Sequence, residues 1–453
     1  MTTVAFVLGV LFMAVGVALS IALHEVGHLV PAKRFGVRVT QYMVGFGPTV
    51  WSRRRGETEY GLKAIPLGGY IRMIGMFPPR PGDDGKLRAS STGRFSQLMD
   101  EARAASLEEV RPGDEDRVFY RLSVPKKVVV MLGGPLMNLL IGIVLLTAVV
   151  TMHGLLTPQA GAEVATVSSC VAPATEATPT TSCTGRPASP ALAAGIRPGD
   201  RLVSIDGQPV RTPRDVSTLI RPAAGRAVPV VVERDGRQLT LAVTPIRNTV
   251  TALDAQGQAV LKADGTPATT EAGFIGVGPS APLEYQAQPV TAVPGIVWDY
   301  TAQTASALAH IPQRLGGVWD AAFGGAERQA DSPMSVVGVG RVAGDVGSGK
   351  YDRIFGGTTG DKVWTLLLLL AGLNIMLFVF NLVPLLPLDG GHVAGALWEG
   401  TKRGWARLRG RPDPGYVDVA KALPVAYSVA MVLIGVSALL IYADLVNPVD
   451  LGG

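Results

Sequence analysis

The chain has 453 residues, 47% of them hydrophobic and only 17% charged, a balance that suits a membrane protein with soluble insertions and leaves room for more than one domain. The formal net charge of +5 is modest and no basic stripe is interleaved with aromatics, so a nucleic-acid partner is excluded. The two cysteines, Cys170 and Cys183, share one polar segment and form a candidate disulfide on the oxidising side of a membrane; no Cys/His zinc pattern occurs.

The first predicted element is an apolar helix over about 4–32, ending in His24-Glu25-Val26-Gly27-His28. H-E-x-x-H on a helix sets two imidazoles one turn apart on one face with the carboxylate beside them. Such a pair can bind Zn²⁺, and Glu25 can take a proton from the water that the metal activates. Ionisable groups at membrane depth are costly and mostly functional. A cleaved signal peptide is disfavoured: Met1-Thr2-Thr3 has no Lys or Arg, and a cut after Ala18-Leu19-Ser20 would strand the motif at a new N-terminus.

Residues 37–76 alternate strand formers such as Val39, Tyr42 and Val44 with turn signals at Gly45-Phe46-Gly47-Pro48, Arg55-Gly56-Glu57 and Pro66-Leu67-Gly68-Gly69. They read as β-hairpins lying against the cytoplasmic membrane face. A Pro/Gly run over 78–85 ends this unit, and 94–110 reads as a charged surface helix. A second membrane helix is expected over about 127–152, carrying Asn138 in Gly133-Gly134-Pro135-Leu136-Met137-Asn138. Asn138 suits either substrate binding or a packing hydrogen bond.

The region 153–361 is mostly polar. After an Ala/Thr/Pro-rich loop, a small αβ module is expected near 160–247, with a helix near 213–220 and strands at 227–234 and 238–244 joined by Asp235-Gly236. Short strands follow over 248–290. Trp298, Tyr300, Trp319 and Phe323 at helical spacing predict one amphipathic helix over 296–325. Membrane helices three and four are expected over about 362–386 and 422–446, separated by a loop over 387–421.

Lys33, Arg34, Arg38, Arg53, Arg54, Arg55, Lys63 and Arg72 follow the first helix, and Lys402, Arg403, Arg407, Arg409, Arg411 and Lys421 separate the third from the fourth. The positive-inside rule puts these loops in the cytoplasm, and both termini and 153–361 outside it.

A catalytic zinc wants three protein ligands and an open position. The third candidate is Asp389, in Asn381-Leu382-Val383-Pro384-Leu385-Leu386-Pro387-Leu388-Asp389-Gly390-Gly391-His392, where two prolines break the third helix. His392 competes with it, and Asp-Gly-Gly also makes an ordinary turn. Asn381 could hold a substrate backbone or pack within the membrane.

HEVGH, the GFGP and PLGGYIRMIGM blocks, GGPLMN and NLVPLLPLDGGH together resemble the bacterial site-2 proteases, the RseP-like intramembrane zinc metalloproteases of peptidase family M50, over nearly the whole length. The resemblance implies a polytopic α-helical membrane protein with four transmembrane helices, membrane-associated β-hairpins that can pair with an unwound substrate, and an extracytoplasmic PDZ-like α+β domain at 160–247. It implies Zn²⁺ held by His24, His28 and Asp389, with Glu25 catalytic and Asn381 holding substrate. It further implies a multi-pass plasma-membrane enzyme that cuts single-pass membrane proteins such as anti-sigma factors within the bilayer, after an upstream site-1 protease has acted. A PDZ-bearing scaffold without catalysis and a membrane metal transporter are the alternatives.

Overall fold

The computed structural model describes residues 2–79, 106, 110–172, 183, 185–254, 259–262, 266–326, 328–329 and 331–451, with backbone alone at 66 and 67. The helix expected over 94–110 and most of the Pro/Gly run at 78–85 therefore lie outside the described residues. The chain forms two compact units, one of Met1–His153 with Ala287–Gly453 and one of Gly154–Gln286.

The first unit opens with α1 (Thr2–Arg34), apolar along its length, with Pro31 in the last turns and Lys33 and Arg34 at its end. Two strands follow, β1 (Val39–Arg55) and β2 (Thr58–Met73). They are long, yet the ribbon folds on itself: Gln41 faces both Arg72 and Glu59, and Tyr42 faces both Ile71 and Tyr60. The sharp bends fall at Gly45, Gly47 and Gly68, with φ of 94°, 84° and 103°, a conformation that side chains with a Cβ resist. Tyr42 ties the ribbon to α1 by donating to the Ala22 carbonyl at 2.8 Å. Away from that tie, Phe46, Val50, Trp51, Leu62 and Ile65 are exposed.

Next comes α2 (Val124–Ala148), with proline in its first turn and a π-helical turn, Val149–His153, closing it. Gly27 and Gly133 let α1 and α2 meet backbone to backbone: a Cβ on Gly27 would stand 2.2 Å from the Gly133 carbonyl oxygen, and one on Gly133 2.0 Å from that of Gly27.

The Gly154–Gln286 unit is a sheet domain. Its strands are β3 (Leu155–Pro158), β4 (Ala162–Val167), β5 (Arg201–Ile205), β6 (Gln208–Pro209), β7 (Val228–Arg234), β8 (Arg237–Val243), β9 (Ile246–Thr251), β10 (Thr269–Phe274), β11 (Val277–Ser280) and β12 (Leu283–Gln286). The main sheet runs β11-β4-β5-β7-β8, with α3 (Pro213–Ile220) covering a core of Val164, Leu202, Ile205, Val216, Ile220, Val230 and Val232. The unit extends past 247 because β11 pairs with β4, so the short strands expected over 248–290 are integral to it. Cys170 and Cys183 are bonded to each other. The Asp200 carboxylate is buried and takes two hydrogen bonds from Arg234, each of 2.7 Å.

Back in the first unit, α4 (Val293–Ala309) and α5 (Ile311–Phe323) replace the single helix expected over 296–325. Pro312 supplies no N–H to the preceding turn, and the helix breaks at His310. After α6 (Val336–Ser348), Thr358 and Asp361 form a reciprocal capping box that starts α7 (Thr359–Asn381). The third membrane helix therefore ends at Asn381 rather than 386. Residues 387–421 are not simply a loop, since α8 (Asp389–Leu408) fills most of them. The last helix is α9 (Leu423–Val446). Among the described residues four helices are long and apolar enough to cross a membrane: Thr2–Arg34, Val124–His153, Thr359–Asn381 and Val419–Val446.

Candidate metal centre

His24 and His28 lie one turn apart on α1, and their Nε2 atoms face each other at 3.2 Å. Oδ2 of Asp389, the first residue of α8, stands 3.4 Å from each. Four ligands at about 2.0–2.1 Å from a tetrahedral zinc are separated from one another by roughly 3.3 Å. The three donor atoms thus already form one face of such a tetrahedron, and their nitrogen–nitrogen–carboxylate set is one zinc accepts. Among the described residues this is the group able to hold a metal, and His392 is not part of it.

Three positions one turn apart on α2 shape the centre from the other side. The Val130 carbonyl accepts from His28 Nδ1 at 2.8 Å, which puts the proton on Nδ1 and leaves Nε2 a free lone pair. The Asn138 amide meets His24 Nδ1 at 3.1 Å. Nδ2 faces the ring, and the buried Oδ1 has no partner among the described residues. Turning the amide over lets Oδ1 accept from Nδ1–H and selects the same tautomer for His24 as for His28. Between them Gly134 leaves space where the donors converge, since a Cβ there would lie 2.2 Å from His28 Nε2 and 2.7 Å from His24 Nε2.

Glu25 is buried next to this group. The β2 backbone runs hard against it, because a Cβ on Gly69 would come within 2.9 Å of Glu25 Cγ. The turn delivering Asp389 is equally tight. A Cβ on Gly390 would stand 2.3 Å from the Val383 carbonyl oxygen, and one on Gly391 2.6 Å from the Leu386 nitrogen.

Of the residues singled out from sequence, the structure brings together His24, Glu25, His28, Asp389 and Asn138. Asn138 is buried and committed to His24, so it is not open to a substrate. Asn381 closes α7, and no hydrogen bond among the described residues ties it to the histidines or Asp389.

Sequence reading missed two supports. Asn374 on α7, fully buried, donates to Ser20 at 3.0 Å, one turn before His24. Lys127 on α2 donates to both oxygens of buried Glu399 on α8, at 3.0 and 2.8 Å. The signal available was a polar residue inside an apolar helix for Asn374, and a Lys near a membrane-helix end for Lys127.

Residues 12–411 match the model of Peptidase family M50. The chain is similar to zinc metalloprotease Rip1 of Mycobacterium tuberculosis, 36% identical over 453 residues covering 98% of this chain and 99% of that protein. It is 34% identical to zinc metalloprotease Rip1 of Mycolicibacterium smegmatis over 460 residues, with the same two coverages of 98% and 99%. Metalloprotease MmpA of Caulobacter vibrioides is 25% identical over 389 residues, covering 84% of this chain and 83% of that protein.

Proposed function

Because the chain belongs to peptidase family M50, the site-2 protease family, and is a zinc metalloprotease, we propose that it cleaves single-pass membrane proteins within the bilayer. One observation carries this reading: the H-E-x-x-H helix is also a membrane-length apolar helix, and its histidines meet Asp389 at zinc-ligand spacing. His24, His28 and Asp389 hold the Zn²⁺. The bound ion supplies Lewis acidity toward a peptide carbonyl and acidifies water.

Glu25 acts on protons. It accepts one from the attacking water and delivers it to the amide nitrogen as the C–N bond breaks, leaving a new carboxyl and a free amine. The β2 backbone at Gly69 packs against its side chain. Val130 and Asn138 hold the imidazoles in the tautomer that a metal requires. A helical peptide bond is out of reach until its helix unwinds, and an unwound segment can add as a strand to the ribbon edge Gly69–Met73, which runs past Glu25. Asn381 then engages the substrate backbone beyond the scissile bond.

The basic loops face the cytoplasm, and both termini and the Gly154–Gln286 unit lie outside it. That unit acts as a PDZ-like gate admitting substrates already trimmed by a site-1 protease, anti-sigma factors being the expected class. The test is cleavage of a tagged single-pass substrate by the full chain and by Glu25→Gln, with zinc measured on both. Loss of cleavage with zinc retained supports the assignment, and equal cleavage removes it.

A further inference from the structure

α8 has two dissimilar long faces. One is clamped to the protein: Ala396, Glu399 and Ala406 are buried, and Glu399 is held by Lys127 and by Arg403. That clamp turns Leu397, Trp398, Trp405 and Leu408 away from the protein, where they are 55%, 59%, 56% and 84% exposed. Leu397, Trp405 and Leu408 follow at spacings of eight and three residues, and Trp398 is seven residues from Trp405, so all four share one stripe of the helix. Two bulky indoles and two leucines on one stripe form a contiguous apolar patch of the kind soluble surfaces avoid.

The charges at its borders say what covers it. Lys402 and Arg407 are exposed on the same helix and Arg409 at its C-cap, and the Arg409 guanidinium lies 4.3 Å from the centroid of the Trp405 ring. An apolar stripe edged by cations, with tryptophan at the border, is the composition of a helix lying in a phospholipid headgroup layer. A cleft of about 500 Å³ adjoins the stripe at Trp398, lined by Leu385, Leu386, Val419 and Val425, with Lys421 among its residues. It offers room for hydrocarbon, with Asp418 beside Lys421 among its lining residues. The same cleft reaches Val425 of α9, a helix long and apolar enough to cross a bilayer.

We propose that the outer face of α8 docks on an anionic phospholipid surface, with Leu397, Trp398, Trp405 and Leu408 among the acyl chains and Lys402 and Arg409 at the phosphates. Asp389 is the first residue of this helix, so the lipid holds one end of the element whose other end enters the metal centre. The proposal needs the chain to be in a membrane and does not need it to be a protease, because its readout is lipid contact and not cleavage.

Both cysteines are bonded to each other, so a nitroxide on Leu408→Cys or Arg407→Cys labels a single site in the full chain. The protein is reconstituted in phosphatidylcholine vesicles and in mixed phosphatidylcholine–phosphatidylglycerol vesicles, and collisions with oxygen and with a water-soluble nickel chelate are compared. The expected result is preferential oxygen collision at 408 and not at 407, increased by phosphatidylglycerol. Lys402→Gln with Arg409→Gln should abolish that increase, each cation near an anionic surface being worth about fivefold in partitioning. Equal water exposure at the two positions overturns the proposal. So does a label at 408 shielded from both reagents, which marks a protein partner, or lipid contact indifferent to phosphatidylglycerol.

Discussion

Gly134 stands so close to His28 that a methyl group on its α-carbon would lie 2.2 Å from Nε2. The atom it would strike is a candidate metal donor, so the missing side chain is part of the site. Gly134→Ala should lower zinc affinity on the order of 100-fold and cleavage with it, well beyond the roughly 1 kcal/mol gained from helix propensity. Zinc titration of the purified variant against a chelator checks this. Undiminished affinity would show that α2 stands further from the centre than described.

Asn138 should behave as a positioning residue. Asn138→Ala removes the partner of His24 Nδ1 and should cost about 10–100-fold in zinc affinity. Asn138→Asp keeps an acceptor and should recover much of it. A substrate-binding role would instead raise KM for both variants with zinc affinity unchanged.

Lys127 and Glu399 form a pair 7% and 2% exposed that joins α2 to α8. Lys127→Met leaves the buried Glu399 carboxylate with only Arg403 and the Val417 backbone N–H, and should destabilise the chain by about 3 kcal/mol. Lys127→Met with Glu399→Leu removes both charges and should cost less than the single change. Thermal unfolding in detergent distinguishes them, and a double variant as unstable as the single one would contradict the pairing.

In the sheet unit, burial by itself would raise the Asp200 carboxyl, but the Arg234 guanidinium and the Arg197 backbone N–H overcome this and hold it below the usual carboxylate range. A depressed native value means the pair stabilises the unit fully above the unfolded carboxylate value of about 3.9, and loses that contribution as pH falls through the native one. Arg234→Leu should therefore weaken the unit by on the order of 2 kcal/mol at neutral pH, with the difference from wild type fading in acid. Pulse-labelling hydrogen exchange of β5 and β7 peptides across urea series at several pH values reads this.

What could be read from the sequence followed the range of the interaction. The His24–Glu25–His28 face needs only helical spacing, and four apolar stretches announce the spans. Asp389 could be brought to the histidines only through topology, because nothing local relates α8 to α1. Val130 was invisible for a simpler reason, since it contributes only a backbone carbonyl, and Gly134 showed as part of the GGPLMN block without its role, since what it contributes is the absence of a side chain. α8 itself was read as loop because its apolar residues divide between two opposite faces, which blurs the single-stripe period. The break at His310 was readable from Pro312, but the aromatic periodicity across 296–325 masked it.

His24 and His28 stand on α1 and Asp389 on α8, with the whole sheet unit translated between them. A chain still in synthesis therefore presents two imidazoles and no carboxylate opposite them. The donor set closes only once α8 has followed and packed, so the centre cannot be complete before the sheet unit has been made.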